Sequence, residues 1–386
     1  MTDLYLLDPP LSAAWFPFGD ARPIAELRAG AWLIRERWEA IADLETTAIF
    51  AAAHLAGFAE DGIPEVAERR SVTGPALVGR ADFAPSGVAP ELPKGPARLT
   101  HDGNVVGWWV PEGSAWSEEM VGDGIELEGL LLNGAYDLIT ALEHFLPADT
   151  ADFTHEPGDQ LPDGCLVLGD PMDVVLLGAR VEPGVVFDVR GGAVVLEQHV
   201  YVRGGTRFEG PVYVGPGTEI LGGEIRHCAF GPRCKIRGEI QAAVALGYAN
   251  KGHEGFVGHS VLGRWVNLGA GTTTSNLKNT YGPIRLQVRD ARIETGRQHI
   301  GAFFADHAKT AIGTMLETGT VVGAGANVFG STRPAKFVPP FAWGADGTMD
   351  LEGFLKIASR AMPRRQVEFT DAVRAMLTRI HQHATA

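Results

Sequence analysis

The chain is poor in cysteine: Cys165, Cys228 and Cys234 are the only three in 386 residues, an odd number without metal-type spacing. That excludes a disulfide scaffold, and the three read as reduced, structural thiols of a cytoplasmic protein. Positive charge is also scarce. Thirty-three Lys and Arg stand against 47 Asp and Glu, for a formal net charge of −14. This balance excludes a general nucleic-acid binder, because phosphate repulsion goes uncompensated. It leaves room for a small phosphorylated ligand in a local basic pocket. No apolar run approaches the roughly 20 residues that span a bilayer. The opening, MTDLYLLDPPLSAAW, lacks a basic stretch followed by an apolar one, so no signal peptide is expected.

What is present is ordinary for a globular protein: 45% hydrophobic and 21% charged residues. The length allows two domains, each with its own core. Glycine is abundant, 49 residues, and crowds the C-terminal half, as tight turns require.

Residues 1–147 read as a mixed front domain. Leu4 to Leu7 form a short apolar strand ended by Asp8-Pro9-Pro10. The spacing of Ile24, Leu27, Trp32, Leu33 and Trp38 predicts a helix over 23–40. Residues 48–56 fit a buried strand or a helix. Asp102-Gly103, between two apolar-containing runs, predicts a hairpin turn. A helix is expected over 135–146, stopped by Pro147. Residues 148–163 are acidic and poor in apolar side chains, and read as a linker.

Residues 164–345 carry an internal repeat. Leu196, Val202, Phe208, Val214 and Ile220 recur every six residues, with Val200, Thr206, Val212 and Thr218 as a second ladder. A sustained six-residue period of inward aliphatics predicts a β-helix whose stacked coils bury one apolar stripe. An antiparallel sandwich is the alternative, but its turns recur at longer, irregular spacing. The repeat breaks at 272–299, expected as a loop thrown from one corner. Residues 346–386 form a helical tail with Arg360, Arg364 and Arg365, expected to pack outside the β-helix or cap its end.

Gly252-His253, the NLGAGT run at 267–272, Thr274-Ser275-Asn276 and the TGTVVGAGANVFG run at 318–330 occur in that order. On these motifs, residues 165–344 resemble the acetyltransferase domain of bacterial bifunctional N-acetylglucosamine-1-phosphate uridyltransferase/glucosamine-1-phosphate acetyltransferases. The closest likeness is to the shorter GlmU-family group of sugar-nucleotidyltransferase-like proteins. The resemblance implies a left-handed parallel β-helix of hexapeptide repeats, a homotrimer and acetyl-CoA as cosubstrate. It also implies glucosamine 1-phosphate as acceptor, on the route to UDP-N-acetylglucosamine and the cell envelope. DARPIAELRAGAWLIRERWE at 20–39 resembles the opening of that group's α/β nucleotidyltransferase-like domain, which would use UTP and Mg²⁺. The usual GxGTRM signature is absent.

N-acetylation needs a base for the amine proton, a thioester held beside the amine, and donors for the developing oxyanion. Histidine suits the first role, with an ordinary pKa of roughly 6.5. The resemblance gives that role to His253, with Glu239 to orient it. Asn267 and Asn276 would hydrogen-bond the sugar, and Arg226 and Lys278 would neutralise its phosphate. Each of these four also suits a bland role at a turn or on the surface. Small residues at Ala270, Ala302 and Ala324 would line the CoA channel, or simply turn a coil. Phe256, Leu277 and Gln241 stand where the family has tyrosine, tyrosine and lysine, which points to a changed acceptor or to compensation by Lys278, Tyr281 and His259. His259 and His307 are reserve bases. In the front domain Arg22, Arg28 and Arg35 are the candidate nucleotide-phosphate clamps. Asp8, Asp20 and Asp102 are carboxylates within reach of a metal role, with none singled out. Two other functions remain open: a single-activity sugar-1-phosphate nucleotidyltransferase whose β-helix trimerises it, and a non-catalytic sugar-nucleotide-binding assembly.

Overall fold

A computed structural model describes residues 2–156 and 158–386. The front domain is built on a seven-stranded sheet in the order Asp123–Glu126, Ala97–His101, Asn104–Val110, Ala76–Arg80, Asp3–Leu7, Thr46–Phe50, Glu65–Ala67. Asn104–Val110 is antiparallel to both neighbours, while the other pairings are parallel. Asp102 (φ 48°) and Gly103 (φ 78°) make the tight turn between Ala97–His101 and Asn104–Val110, as their residue types predict. Thr46–Phe50 settles the 48–56 ambiguity as a strand at its start.

The helix expected over 23–40 begins only at residue 34. Ahead of it lie a single 3₁₀ turn, Ile24–Glu26, and a hairpin of Arg28–Ala29 with Trp32–Leu33. The cause is Gly30, whose φ of 74° turns the chain where a Cβ would lie 2.2 Å from Asp149 Oδ2. Helix α1, Ile34–Ala42, then starts with Glu36 accepting from the Leu33 amide at 2.7 Å.

Helix α2, Asp137–Asp152, runs straight through Pro147. Proline removes an amide donor and costs about 3 kcal/mol in a helix interior. Here Leu142, Phe145 and Leu146 before it and Asp149 and Thr150 after it are all buried, so tertiary packing holds both sides. The first residues of the expected linker are therefore helix.

From Leu166 onward the chain winds into a parallel β-solenoid, a continuous 21-stranded sheet of short strands. Each coil stacks on the next in register. On one face the outward ladder runs Glu219, Lys235, Asn250, Asn267, Lys309, Asn327. A second face carries Glu224, Glu239 and Phe256. The third carries Ala229, Val244, Val261, Phe303 and Val321. Leu196, Val202, Phe208, Val214 and Ile220 are all fully buried in the lumen, as the hexad predicts.

The third face is apolar because it is covered. Val244, Val261, Phe303 and Val321 share one core with Leu138, Ile139 and Leu142 of α2. Each buried side chain of this size is worth about 1.5–3 kcal/mol, so the two domains are fused along this seam. The break at 272–299 holds an antiparallel hairpin, Arg285–Val288 with Ala291–Glu294. Ile284, Leu286 and Val288 bury themselves in the same core.

Helices α3, Leu351–Ala361, and α4, Asp371–Thr385, pack into the angle between solenoid and front domain. Phe354 meets Phe341 of the solenoid (centroids 4.9 Å), and Met376 Sδ accepts from the Ala59 amide at 3.2 Å. They thus tie the two domains together rather than cap the solenoid alone. Among the described residues, no helix is long and apolar enough to cross a membrane.

Candidate active site

His253 sits on an exposed corner between the first and second solenoid faces and makes no side-chain hydrogen bond among the described residues. Its backbone is held from inside. Lys251 points into the lumen, only 1% exposed, in register with Ile236. Its Nζ donates to the carbonyls of Arg237 and His253. Burial pushes the Lys251 ammonium down to about 8, with Glu254 opposing. A lysine at an inward hexad position breaks the repeat, and that mismatch is the sequence signal by which it could have been found.

The remaining candidates divide between the two faces that meet at His253. On the first face, Asn250 Nδ2 donates to Asn267 Oδ1 at 2.7 Å. On the second, Glu239 is paired with Arg226 (3.1 Å) and not with His253. Glu239 lies beside Phe256 across the coil. The Phe256 ring and the Asn276 amide meet over Gly258, where an added Cβ would lie 2.4 Å from Phe256 Cζ and 2.8 Å from Asn276 Nδ2.

Asn276 Nδ2 donates to His259 Nδ1 at 2.8 Å, which puts the ring proton on Nε2. His259 is buried and stacked on His299 (5.2 Å). Burial first, then His299, pushes its pKa down to about 4. Its one ring acceptor is occupied, so it lacks the free lone pair of a base. His307 is packed between Trp265 and Phe354, and burial holds it well below its ordinary range. Lys278 Nζ donates to the Pro283 carbonyl and lines a groove of about 700 Å³ with Ser275, Met315, Arg333 and Lys336.

The three alanines do not form one channel. Ala270 is half-buried at a corner, Ala302 is fully buried in the lumen, and Ala324 lies under α3 and α4 in the interdomain core. Neither Ala302 nor Ala324 offers surface to a pantetheine arm.

In the front domain the three arginines are committed to internal contacts. Arg22 is fully buried and pairs with Asp306 (2.8 Å) and Glu60 (3.0 Å). Arg28 donates to the Ala31 carbonyl and lies over the Tyr213 ring. Arg35 pairs with Glu26 and Glu39. Asp8 follows the central strand Asp3–Leu7, and both its oxygens accept amides, from Ile24 (2.8 Å) and Ala25 (3.2 Å). Burial pushes it up to about 7. Asp82, at the end of the neighbouring strand, spends both oxygens on Arg80. These strand-end carboxylates do not fit a magnesium site in this conformation. Asp20 is half-buried near Arg289 (4.0 Å), and Asp102 occupies an exposed turn. Among the described residues, no three His, Cys, Asp or Glu side chains converge as a metal site.

The front domain matches a family model described as sugar nucleotidyl transferase over residues 4–156. The chain is similar to a bifunctional sugar-1-phosphate nucleotidylyltransferase/acetyltransferase of Sulfurisphaera tokodaii, 33% identical over 91 residues, 24% of this chain and 23% of that protein. It is also similar to the bifunctional protein GlmU of Methanocaldococcus jannaschii, 29% identical over 86 residues, 22% of this chain and 21% of that protein. The aligned stretches span less than a quarter of either relative. The architecture is thus a nucleotidyltransferase-type front domain on a parallel β-solenoid.

Proposed function

We propose that the chain is a sugar-1-phosphate transferase whose solenoid carries an acetyl-CoA-dependent N-acetyltransferase site for an amino-sugar 1-phosphate, glucosamine 1-phosphate by resemblance. The observation that carries this reading is His253 on its corner: exposed, with no side-chain hydrogen bond among the described residues, and with its backbone carbonyl held by Lys251 Nζ. The domain boundaries proposed with it are 1–147, 164–345 and 346–386. Assembly as a homotrimer belongs to the same proposal, and would place a second copy against the open corner.

In the reaction the sugar amine attacks the thioester carbonyl, forming the C–N bond as the C–S bond breaks. His253 takes the proton that the amine loses and returns it to the departing CoA sulfur. Phe256 and Asn276, meeting over Gly258, form a wall against which the sugar ring can sit. Arg226, paired with Glu239 on that face, is the cation assigned to the sugar phosphate. Glu239 therefore acts through Arg226 and not through the imidazole. In place of the family tyrosine, Phe256 supplies an apolar contact, which suits an acceptor with less to hydrogen-bond there.

Nucleotidyl transfer by the front domain is the second half of the proposal, supported by the family match over residues 4–156. Against a strong phosphate clamp stand the committed arginines and a single lysine, Lys94, in that stretch. The test is product analysis with acetyl-CoA, glucosamine 1-phosphate and UTP together. The proposal expects an N-acetylated sugar phosphate, with pyrophosphate release only if the front domain is active. Recovery of unmodified sugar phosphate would count against it.

A further inference from the structure

On the first solenoid face, the C-terminal end of α3 closes a two-lobed groove. Its lobes, about 460 and 510 Å³, share Lys235, Arg364 and Arg365. Ligand pockets commonly span about 300–1,000 Å³. The first lobe gathers five cations, Lys235, Lys309, Arg360, Arg364 and Arg365, with no carboxylate in its lining. In a chain of net charge −14 this is a local reversal of sign.

Most of that charge is unanswered. Lys235 pairs with Glu219 at 2.9 Å, but Lys309, Arg360, Arg364 and Arg365 make no ion pair among the described residues. Lys309 Nζ donates to the His307 carbonyl (3.0 Å), and burial pushes its pKa down to about 8. Arg365 Nε is buried with no hydrogen-bond partner among the described residues. Like charges crowded in a partly desolvated groove repel one another, and a bound anion relieves the repulsion.

The lining is also suited to more than phosphate. Tyr248 and Trp265, stacked 4.4 Å apart, form an aromatic wall of the same lobe. After the Asn250–Asn267 hydrogen bond, the Asn267 amide N–H groups and the Asn250 side-chain carbonyl make no further side-chain bond among the described residues. Asn267 thus belongs with this groove, away from Asn276.

We propose that this groove binds the pyrophosphate of a nucleotide, with Lys235, Lys309, Arg360 and Arg364 on the phosphates and the Tyr248 wall beside the base. Two ligands of the proposed reaction carry that chemistry, the phosphorylated ADP end of CoA and the UDP end of a nucleotide sugar. The site deepens the transferase reading and rests on it for this choice of ligands.

The test is calorimetric titration of the full-length chain carrying His253→Ala, so that binding is read without turnover. Coenzyme A and UDP-N-acetylglucosamine are titrated separately. At least one is expected to bind, and Arg360→Ala/Arg364→Ala is expected to weaken it ten-fold or more with the melting temperature unchanged. Both arginines are exposed, so folding is spared. Lys309→Met is expected to act in the same direction. A response confined to CoA assigns the groove to the acetyl donor, and one confined to the UDP-sugar assigns it to a nucleotide sugar. Equal binding by the double variant, or no binding of either ligand, overturns the proposal. Turnover of the wild type is read separately by thiol release, so loss of the groove and loss of the transferase reading give different results.

Discussion

Arg22 of the front domain grips both carboxylate oxygens of Asp306 in the solenoid, with Nε to Oδ2 at 3.0 Å and Nη2 to Oδ2 at 2.8 Å, and Nε reaching Oδ1 at 3.3 Å. The pair is buried and part of a larger network. Glu60 joins Arg22 to Arg264 (2.9 Å), whose amide donates to Asp306 Oδ1 (2.8 Å). Removing one partner of a buried pair costs about 3–5 kcal/mol, because the other charge is left unpaired. Arg22→Ala is therefore expected to lower the urea midpoint strongly, leaving Glu60 and Asp306 as close buried carboxylates. A change below about 1 kcal/mol would mean the network contributes nothing to stability.

Asp8 links stability to acidity. Its folded pKa is raised to about 7 from 3.8, chiefly by burial. A carboxyl with a raised folded pKa stabilises the fold fully below its unfolded value, and that contribution is lost as pH rises through about 7. Between pH 4 and 7, Asp8→Asn is expected to flatten the fall in stability with rising pH, measured by denaturant melts at several pH values. An unchanged slope would show that Asp8 ionises freely in the folded chain.

Lys251 works in the alkaline range. Its folded pKa is lowered to about 8 from 10.5. A base with a depressed folded pKa contributes stability above its unfolded value, and the contribution is lost as pH falls through about 8. The wild type is expected to gain stability relative to Lys251→Met as pH rises from 8 to 10.5. The same variant frees the carbonyls of Arg237 and His253 and is expected to lower kcat about ten-fold, consistent with misplacement of a catalytic group.

Gly258 is the floor under two side chains of the acceptor wall. Alanine there would drive a Cβ to within 2.4 Å of Phe256 and 2.8 Å of Asn276. Because the atoms met are side-chain ends, they move and the fold survives. Gly258→Ala is expected to lower kcat/KM for the sugar phosphate at least ten-fold with only a small change in melting temperature. An unaffected kcat/KM would place the acceptor elsewhere.

The solenoid was legible in the sequence because its order is local. Each hexad reports its own inward residue, and Leu196 through Ile220 all fall in the lumen. The Asp102-Gly103 turn was legible for the same reason. What long-range packing decides was not. Pro147 reads as a stop, yet α2 continues because its buried face lies on the third solenoid face. Gly30 falls inside the helix expected over 23–40, and only Asp149, far along the chain, accounts for the turn there by occupying the space of its missing Cβ. Arg22 reads as a phosphate clamp because a lone arginine gives no sign of a partner 284 residues away. The candidate site was legible in part. The motif marks His253, Asn267 and Asn276, but their division between two faces depends on coil register.

The most direct measurement is CoA release from acetyl-CoA with glucosamine 1-phosphate, comparing wild type with His253→Ala. Removal of a general base typically costs about 10²–10⁴-fold in rate. The account predicts wild-type turnover and a loss of at least a hundred-fold in the variant, with its melting temperature unchanged. Wild-type turnover that survives the substitution would contradict the assignment of His253.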